Sequence, residues 1–243
     1  MKRITHLFCV VIIGKLSILS QDSTLTRDFE TWSSIGIQKK LLDKKLTLGL
    51  QQQFRLDNNS SRLYQYFTNI GANYEIFKNF KIGAGYRFLK DGNKTKGFFT
   101  GHRFNVDAGY SHKIDRLKLN YRFRYQNRSN AENKAYPTTK YRLRLKVNYN
   151  IKKWKLDPFA ATELFYAKET YVYNYIPEIT ETNSISDIQK YRLQIGTSYS
   201  KKKIGEFKLF YMLEHQFKNY AVFSNYGIPV NWHIVGFNYT YKF

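Results

Sequence analysis

The chemistry open to this chain lies in its charges. Arg87, Arg103, Arg122, Arg124, Arg142, Arg144 and Arg192 recur at alternate positions or at matching points of successive segments, and Glu163 and Glu214 stand among them. A guanidinium fork holds a carboxylate or a phosphate at two points. Such a set either braces itself through ion pairs or attracts anions. Catalysis has less to work with. His102, His112, His215 and His233 are spread over three segments, and no serine lies in a Gly-x-Ser-x-Gly context, so a nucleophile with its base is not expected. No His/Cys/Asp/Glu group has metal-ligand spacing, and no glycine loop suits a phosphate. No catalytic residue, metal or cofactor is therefore expected.

The elements that must position these charges alternate with period two. Leu117, Leu119, Tyr121, Phe123 and Tyr125 share one parity, and Lys118, Asn120, Arg122, Arg124 and Gln126 the other. Tyr141, Leu143, Leu145, Val147 and Tyr149 oppose Arg142, Arg144, Lys146 and Asn148 in the same way. Successive strand side chains point to opposite faces, so one face is apolar and aromatic while the other is basic. Gly49, Gly71, Gly83, Gly85, Gly109, Gly196 and Gly236 fall on the basic face, where they are expected to leave room for long arginines.

Similar segments cover 46–56, 64–76, 80–89, 102–113, 155–166, 190–200, 206–217 and 232–243, with a weaker one at 28–38. Each runs about nine to twelve residues, the length with which a tilted strand crosses a bilayer. Connections alternate between short ones and longer ones near 89–101, 127–139, 167–189 and 218–231. On the apolar face, rings gather toward strand ends: Tyr64, Tyr66, Phe88, Phe104, Tyr125 and Tyr141 at one end, Tyr74, Tyr110, Tyr149, Tyr199 and Tyr241 at the other. Ile70, Val106, Leu145, Ile195 and Leu209 lie between. Aromatic girdles around an aliphatic belt are the signature of an outer-membrane barrel.

The expected fold is all-β, a transmembrane antiparallel up-and-down β-barrel of 10–12 strands. Because bacterial barrels are normally even-numbered, ten strands from residue 46 would leave 28–38 as a plug, an edge segment or a lead-in. Twelve would need another strand from 167–189 or from the start of the mature chain.

Composition agrees. The 243 residues carry 40 Lys+Arg against 18 Asp+Glu, a formal charge of +22, with 18% aromatics and a mean hydropathy of −0.55. So many rings argue against disorder. No apolar run is long enough for a membrane helix, and the one cysteine, Cys9, excludes a disulfide scaffold. The charge invites a nucleic-acid reading, but the basic residues alternate along strands and no nucleic-acid motif is present. Nucleic acid is not an expected partner.

Met1-Lys2-Arg3 followed by an apolar stretch and a polar turn at Ser20-Gln21 has the layout of a signal peptide over residues 1–20. Residues 21–45 then form a lead-in or first strand, and 46–243 the barrel. Tyr239, Tyr241 and Phe243 alternate to the end of the chain and resemble the terminal signal that barrel assembly machinery reads.

Several stretches resemble a family of uncharacterised outer-membrane barrels common in Bacteroidetes, domain of unknown function 2490. They include Ser60-Ser61-Arg62-Leu63-Tyr64-Gln65-Tyr66-Phe67, Gly83-Ala84-Gly85-Tyr86-Arg87-Phe88, His102-Arg103-Phe104-Asn105, Tyr121-Arg122-Phe123-Arg124-Tyr125-Gln126, Tyr141-Arg142-Leu143-Arg144 and Glu163-Leu164-Phe165-Tyr166. The resemblance implies a barrel in the outer membrane and no particular activity.

Two readings of the interior follow: a packed lumen in which Glu163 and Glu214 brace several arginines, or a narrow wet channel favouring small anions. A lipid-modifying hydrolase is a third and weaker reading. Expected partners are outer-membrane lipid, lipopolysaccharide phosphates facing Lys90, Lys94, Lys96 and Arg128, the assembly machinery and possible small anions. Loop 167–189, with Glu169, Glu178 and Glu181, is expected either to fold over the outer mouth or to stay solvated.

Overall fold

The structure, a computed structural model, describes residues 26–93, 96–130, 137–176, 179–217 and 229–243, without the side chains of 26–27, 130 and 171–183. The expected signal peptide and Cys9 lie outside the described residues. Eleven strands in chain order form a closed barrel. They are β1 (Thr26–Leu41), β2 (Leu46–Asp57), β3 (Arg62–Phe77), β4 (Phe80–Asn93), β5 (Gly97–Ile114), β6 (Leu117–Asn130), β7 (Thr138–Tyr149), β8 (Leu156–Ile176), β9 (Ile179–Lys201), β10 (Gly205–Gln216) and β11 (Val230–Lys242).

The expected even count does not hold. Chain neighbours pair antiparallel throughout, but β1 and β11 pair in parallel, from Thr26 beside Val230 to Gln38 beside Lys242. Every hairpin reverses direction, so an odd number of strands leaves the first and last running the same way. The segment 28–38 supplies the odd strand because both its faces fit the wall. Glu30, Trp32 and Ser34 are buried inside, while Phe29, Ile35 and Ile37 are exposed outside. Across the seam, Ser34 Oγ donates to Asn238 Oδ1 (2.7 Å) and accepts from Gln51 Nε2 (2.9 Å), tying β2, β1 and β11 together on the inner side. Closure leaves no unpaired edge.

The strands also run further than the alternation indicates. Residues 89–93 and 97–101 extend β4 and β5, and most of 127–130 and 138–139 belongs to β6 and β7. The expected loop 167–189 is a continuation of β8 and β9, paired from Lys168 with Ser186 to Ile176 with Ile179. At the opposite end the turns are tight. Asn79 and Asp115 take left-handed φ of 71° and 50°, a conformation these residue types tolerate better than most.

Outward, the belt is aliphatic, with Ile70, Val106, Leu143, Ile195 and Leu209 each more than half exposed. Rings cluster toward the ends, as in the contacts of Tyr141 with Tyr125 (5.6 Å) and Tyr166 (6.2 Å) near one rim, and of Phe207 with Tyr239 (4.8 Å) near the other. Tyr64 is an exception to the expected girdle. A bulge between Arg55 and Leu56 leaves it without a partner on β2, and bulges re-aim side chains. Its hydroxyl donates to Glu30 Oε2 inside the barrel (2.9 Å).

The interior is two-sided. Trp32, Phe159, Phe210, Met212 and Ile234 form a buried apolar cluster with Trp232 against it, contributed by β1, β8, β10 and β11. The wall from β4 to β7 is basic. Two of the inward glycines make room for rings, which corrects the expectation that they accommodate arginines. A Cβ on Gly236 would lie 2.0 Å from Phe210 Cζ, and one on Gly196 would lie 2.8 Å from Phe159 Cζ. Glycine lets the edge of each ring approach the neighbouring backbone.

Candidate functional site

Seven strands, β4 to β10, place the nine expected lumen charges on the inner face. Glu163, at the middle of β8, gathers three arginines from β6, β7 and β9. Arg142 reaches it at two points, Nη2 to Oε2 (2.9 Å) and Nε to Oε1 (3.1 Å), Arg122 Nη2 lies 2.7 Å from Oε1, and Arg192 Nη1 stands 3.9 Å away. Glu214 on β10 takes Arg192 Nε and Lys190 Nζ (2.6 Å). The remaining charges divide. Arg124 binds Asp107 through Nε (2.5 Å) and Nη2 (2.7 Å), and Arg144 donates to the neutral Gln194 Oε1 (3.3 Å). Arg87 and Arg103 face each other across β4 and β5, and among the described residues neither has a carboxylate within ion-pair distance.

Sequence reasoning missed several members of this lining. Asp91 accepts from Gln65 (2.6 Å) and from Arg128, whose expected place was an outer loop facing lipopolysaccharide. Arg128 instead lies on β6 and lines the lumen, so it leaves the outward-facing set. Lys140 reaches Glu169 (3.0 Å) and Gln189 (2.7 Å), closing the outer end of the basic wall. Glu169 thus points inward from the β8–β9 hairpin, while Glu178 and the side chain of Glu181 lie outside the described residues. Guanidiniums also stack on rings: Arg142 and Arg192 lie over Phe165 at 4.6 and 4.7 Å, and Lys146 and Lys208 approach Phe159 at 4.2 and 4.7 Å. The trace of these rings in the sequence is the break in alternation at Glu163-x-Phe165, where a phenylalanine takes the parity of the charges.

Three cavities follow the basic wall. One of about 280 Å³ lies among Arg55, Arg87, Arg103, Arg142 and Arg192. A second, of about 490 Å³, shares Arg87, Arg122 and Arg124 with it. A third, of about 690 Å³, shares Asn120 and Arg122 with the second and ends among Lys113, Arg116 and Lys118 at the short-turn rim.

Residues 29–225, from β1 to the connection ahead of β11, match the family described as a protein of unknown function (DUF2490). The chain belongs to this family. Nothing among the curated proteins matches it. The residues placed by this DUF2490 barrel outside its lumen complete the picture. Among the described residues, the four histidines all face outward against rings. His102 Nδ1 meets the Tyr86 hydroxyl (2.6 Å), His233 Nδ1 meets that of Tyr211 (2.5 Å), His112 stacks on Tyr121 and His215 on Tyr191. Tyr239 donates to the Ile204 carbonyl (2.7 Å), and the Tyr241 and Phe243 rings meet edge-on at 4.8 Å. Of the expected outer-loop bases, Lys90 donates to Thr100 Oγ1 (2.8 Å), Lys96 is exposed, and Lys94 lies outside the described residues.

Proposed function

We propose that this DUF2490 chain is an integral barrel of the bacterial outer membrane, with a structural, ion-pair-braced lumen and no catalysis. One observation carries the membrane part: the outward face exposes a continuous belt of Ile, Leu and Val between rings. A water-soluble protein rarely exposes an apolar patch beyond a few hundred Å², whereas a bilayer requires one. Closure supports the same reading, because in lipid every backbone group must be satisfied internally. The apolar cluster around Trp32 and Phe210 fills one side of the lumen, and Glu163 and Glu214 tie the other together, as a wall brace would. The partners of this reading are outer-membrane lipid, lipopolysaccharide at the outer rim, and the assembly machinery at Tyr239, Tyr241 and Phe243.

The row of connected cavities favours a second reading, a narrow pathway for small anions along the basic wall. Both readings are tested on the full chain. Recovery in the outer-membrane fraction, with extraction only by detergent, is the expected result; recovery in the soluble fraction sinks both. Planar-bilayer recordings then separate them. No conductance is expected of a braced lumen, and anion-selective conductance would establish the second reading.

A further inference from the structure

We propose that the lumen contains a binding site for a small tetrahedral oxyanion of the phosphate–sulfate class, formed by Arg55, Arg87 and Arg103. Arg87 and Arg103 are directly opposite on β4 and β5 and only 9% exposed. Like charges directly opposite on neighbouring strands destabilise a sheet, and a buried charge without a partner is costly. Most of the neighbouring arginines are compensated, Arg122 and Arg142 by Glu163, Arg124 by Asp107, Arg128 by Asp91 and Arg192 by Glu214, while Arg144 donates to the neutral Gln194. Arg55, Arg87 and Arg103 have no such carboxylate among the described residues. Arg55 Nε and Arg103 Nε and Nη2 are buried with no hydrogen-bond partner at all.

Two of the three guanidiniums are nevertheless held in place by rings, and Arg87 Nε also donates to Asn69 Oδ1 (3.4 Å). Phe67, 1% exposed, has Arg87 3.4 Å above its ring and Arg55 at 5.1 Å, and Arg55 also stacks on Trp32 at 3.6 Å. Stacking engages the face of a guanidinium and leaves its in-plane N–H groups free to bind an anion. All three arginines line the cavity of about 280 Å³. At roughly 30 Å³ per water, that space suits one oxyanion with a few waters. A tetrahedral oxyanion presents several acceptor atoms to converging forks, which chloride does not. The inference goes beyond the proposed function, since binding at this site requires neither conduction nor a bilayer.

The test is calorimetry on the folded full chain in detergent micelles. Sodium phosphate and sodium sulfate are titrated against chloride at matched ionic strength. One saturable equivalent of phosphate is expected, with none for chloride. Arg103→Gln and Arg87→Gln should each weaken binding tenfold or more, and Arg103→Lys, which keeps the charge and loses the fork, should fall between. Lys202→Gln, on the exposed turn between β9 and β10, should bind as the unaltered protein does. Absence of saturable phosphate binding, equal binding of chloride, or unchanged affinity in both Gln variants would overturn the proposal. Should those variants fail to fold, the unfolding temperature of the unaltered protein decides: a rise with phosphate beyond that with chloride supports the site, and no difference removes it.

Discussion

Glu163 and Arg142 meet in a two-point fork inside the barrel, each less than a tenth exposed. The same carboxylate also serves Arg122 and Arg192. Removing one partner of a buried pair strands the other charge, which costs about 3–5 kcal/mol. Glu163→Gln should lose that much stability and strand more than one guanidinium. Glu206, by contrast, pairs with Lys242 where both are about a third exposed, and Glu206→Gln should cost under about 1 kcal/mol. Urea unfolding in micelles, followed by tryptophan fluorescence, measures both. Equal effects would show that the lumen is as wet as the rim.

The parallel seam admits a direct test. Ser34 and Asn238 are register partners whose side chains touch at 2.7 Å, close enough for a disulfide between replacement cysteines. The double variant Ser34→Cys with Asn238→Cys should crosslink on oxidation and shift its migration on a denaturing gel, with the reduced form as control. A barrel of ten strands, with residues 28–38 outside the wall, would give no crosslink.

The ring that lies against Gly236 predicts a coupled pair. Gly236→Ala places a methyl 2.0 Å from the Phe210 ring edge, and overpacking of this kind costs about 1–3 kcal/mol. Phe210→Leu alone should also destabilise, by leaving a void. The double variant should be more stable than the two separate losses predict, because the smaller side chain vacates the space that the methyl needs. Thermal unfolding of the four proteins closes the cycle, and simple additivity would mean that the ring does not depend on the glycine.

How far the sequence could be read follows from what each signal depends on. The strand alternation and the inward parity of Arg87, Arg122, Arg142 and Glu163 are local, because period two needs only the residues themselves. The seam between β1 and β11 joins residues about two hundred positions apart in the chain, and no local pattern encodes which strand closes the sheet. Tyr64 misled for a related reason: one extra residue at a bulge reverses a side chain while leaving the surrounding alternation intact. The pairing of acids was legible only as a set. Which arginine meets Glu163 and which meets Asp107 depends on register, and the unpaired state of Arg103 emerges only after those assignments are made.

The outward belt gives the sharpest contrast between lipid and water. Ile195 on β9 is 61% exposed and level with Tyr211 at the middle of β10, with Ala160 as its partner on β8. In water, Ile195→Lys would swap an exposed apolar group for a charged one and leave stability unchanged or slightly improved. At the midplane of a bilayer the same change costs about 2–4 kcal/mol, falling to about 1 or less near the interfaces. Reversible unfolding in phospholipid vesicles should therefore show the larger loss for Ile195→Lys and a small one for Ile114→Lys, an outward position 56% exposed at the short-turn end of β5. The depth dependence is the deciding feature, because a soluble barrel has no midplane: equal and negligible effects at both positions would put the belt in water.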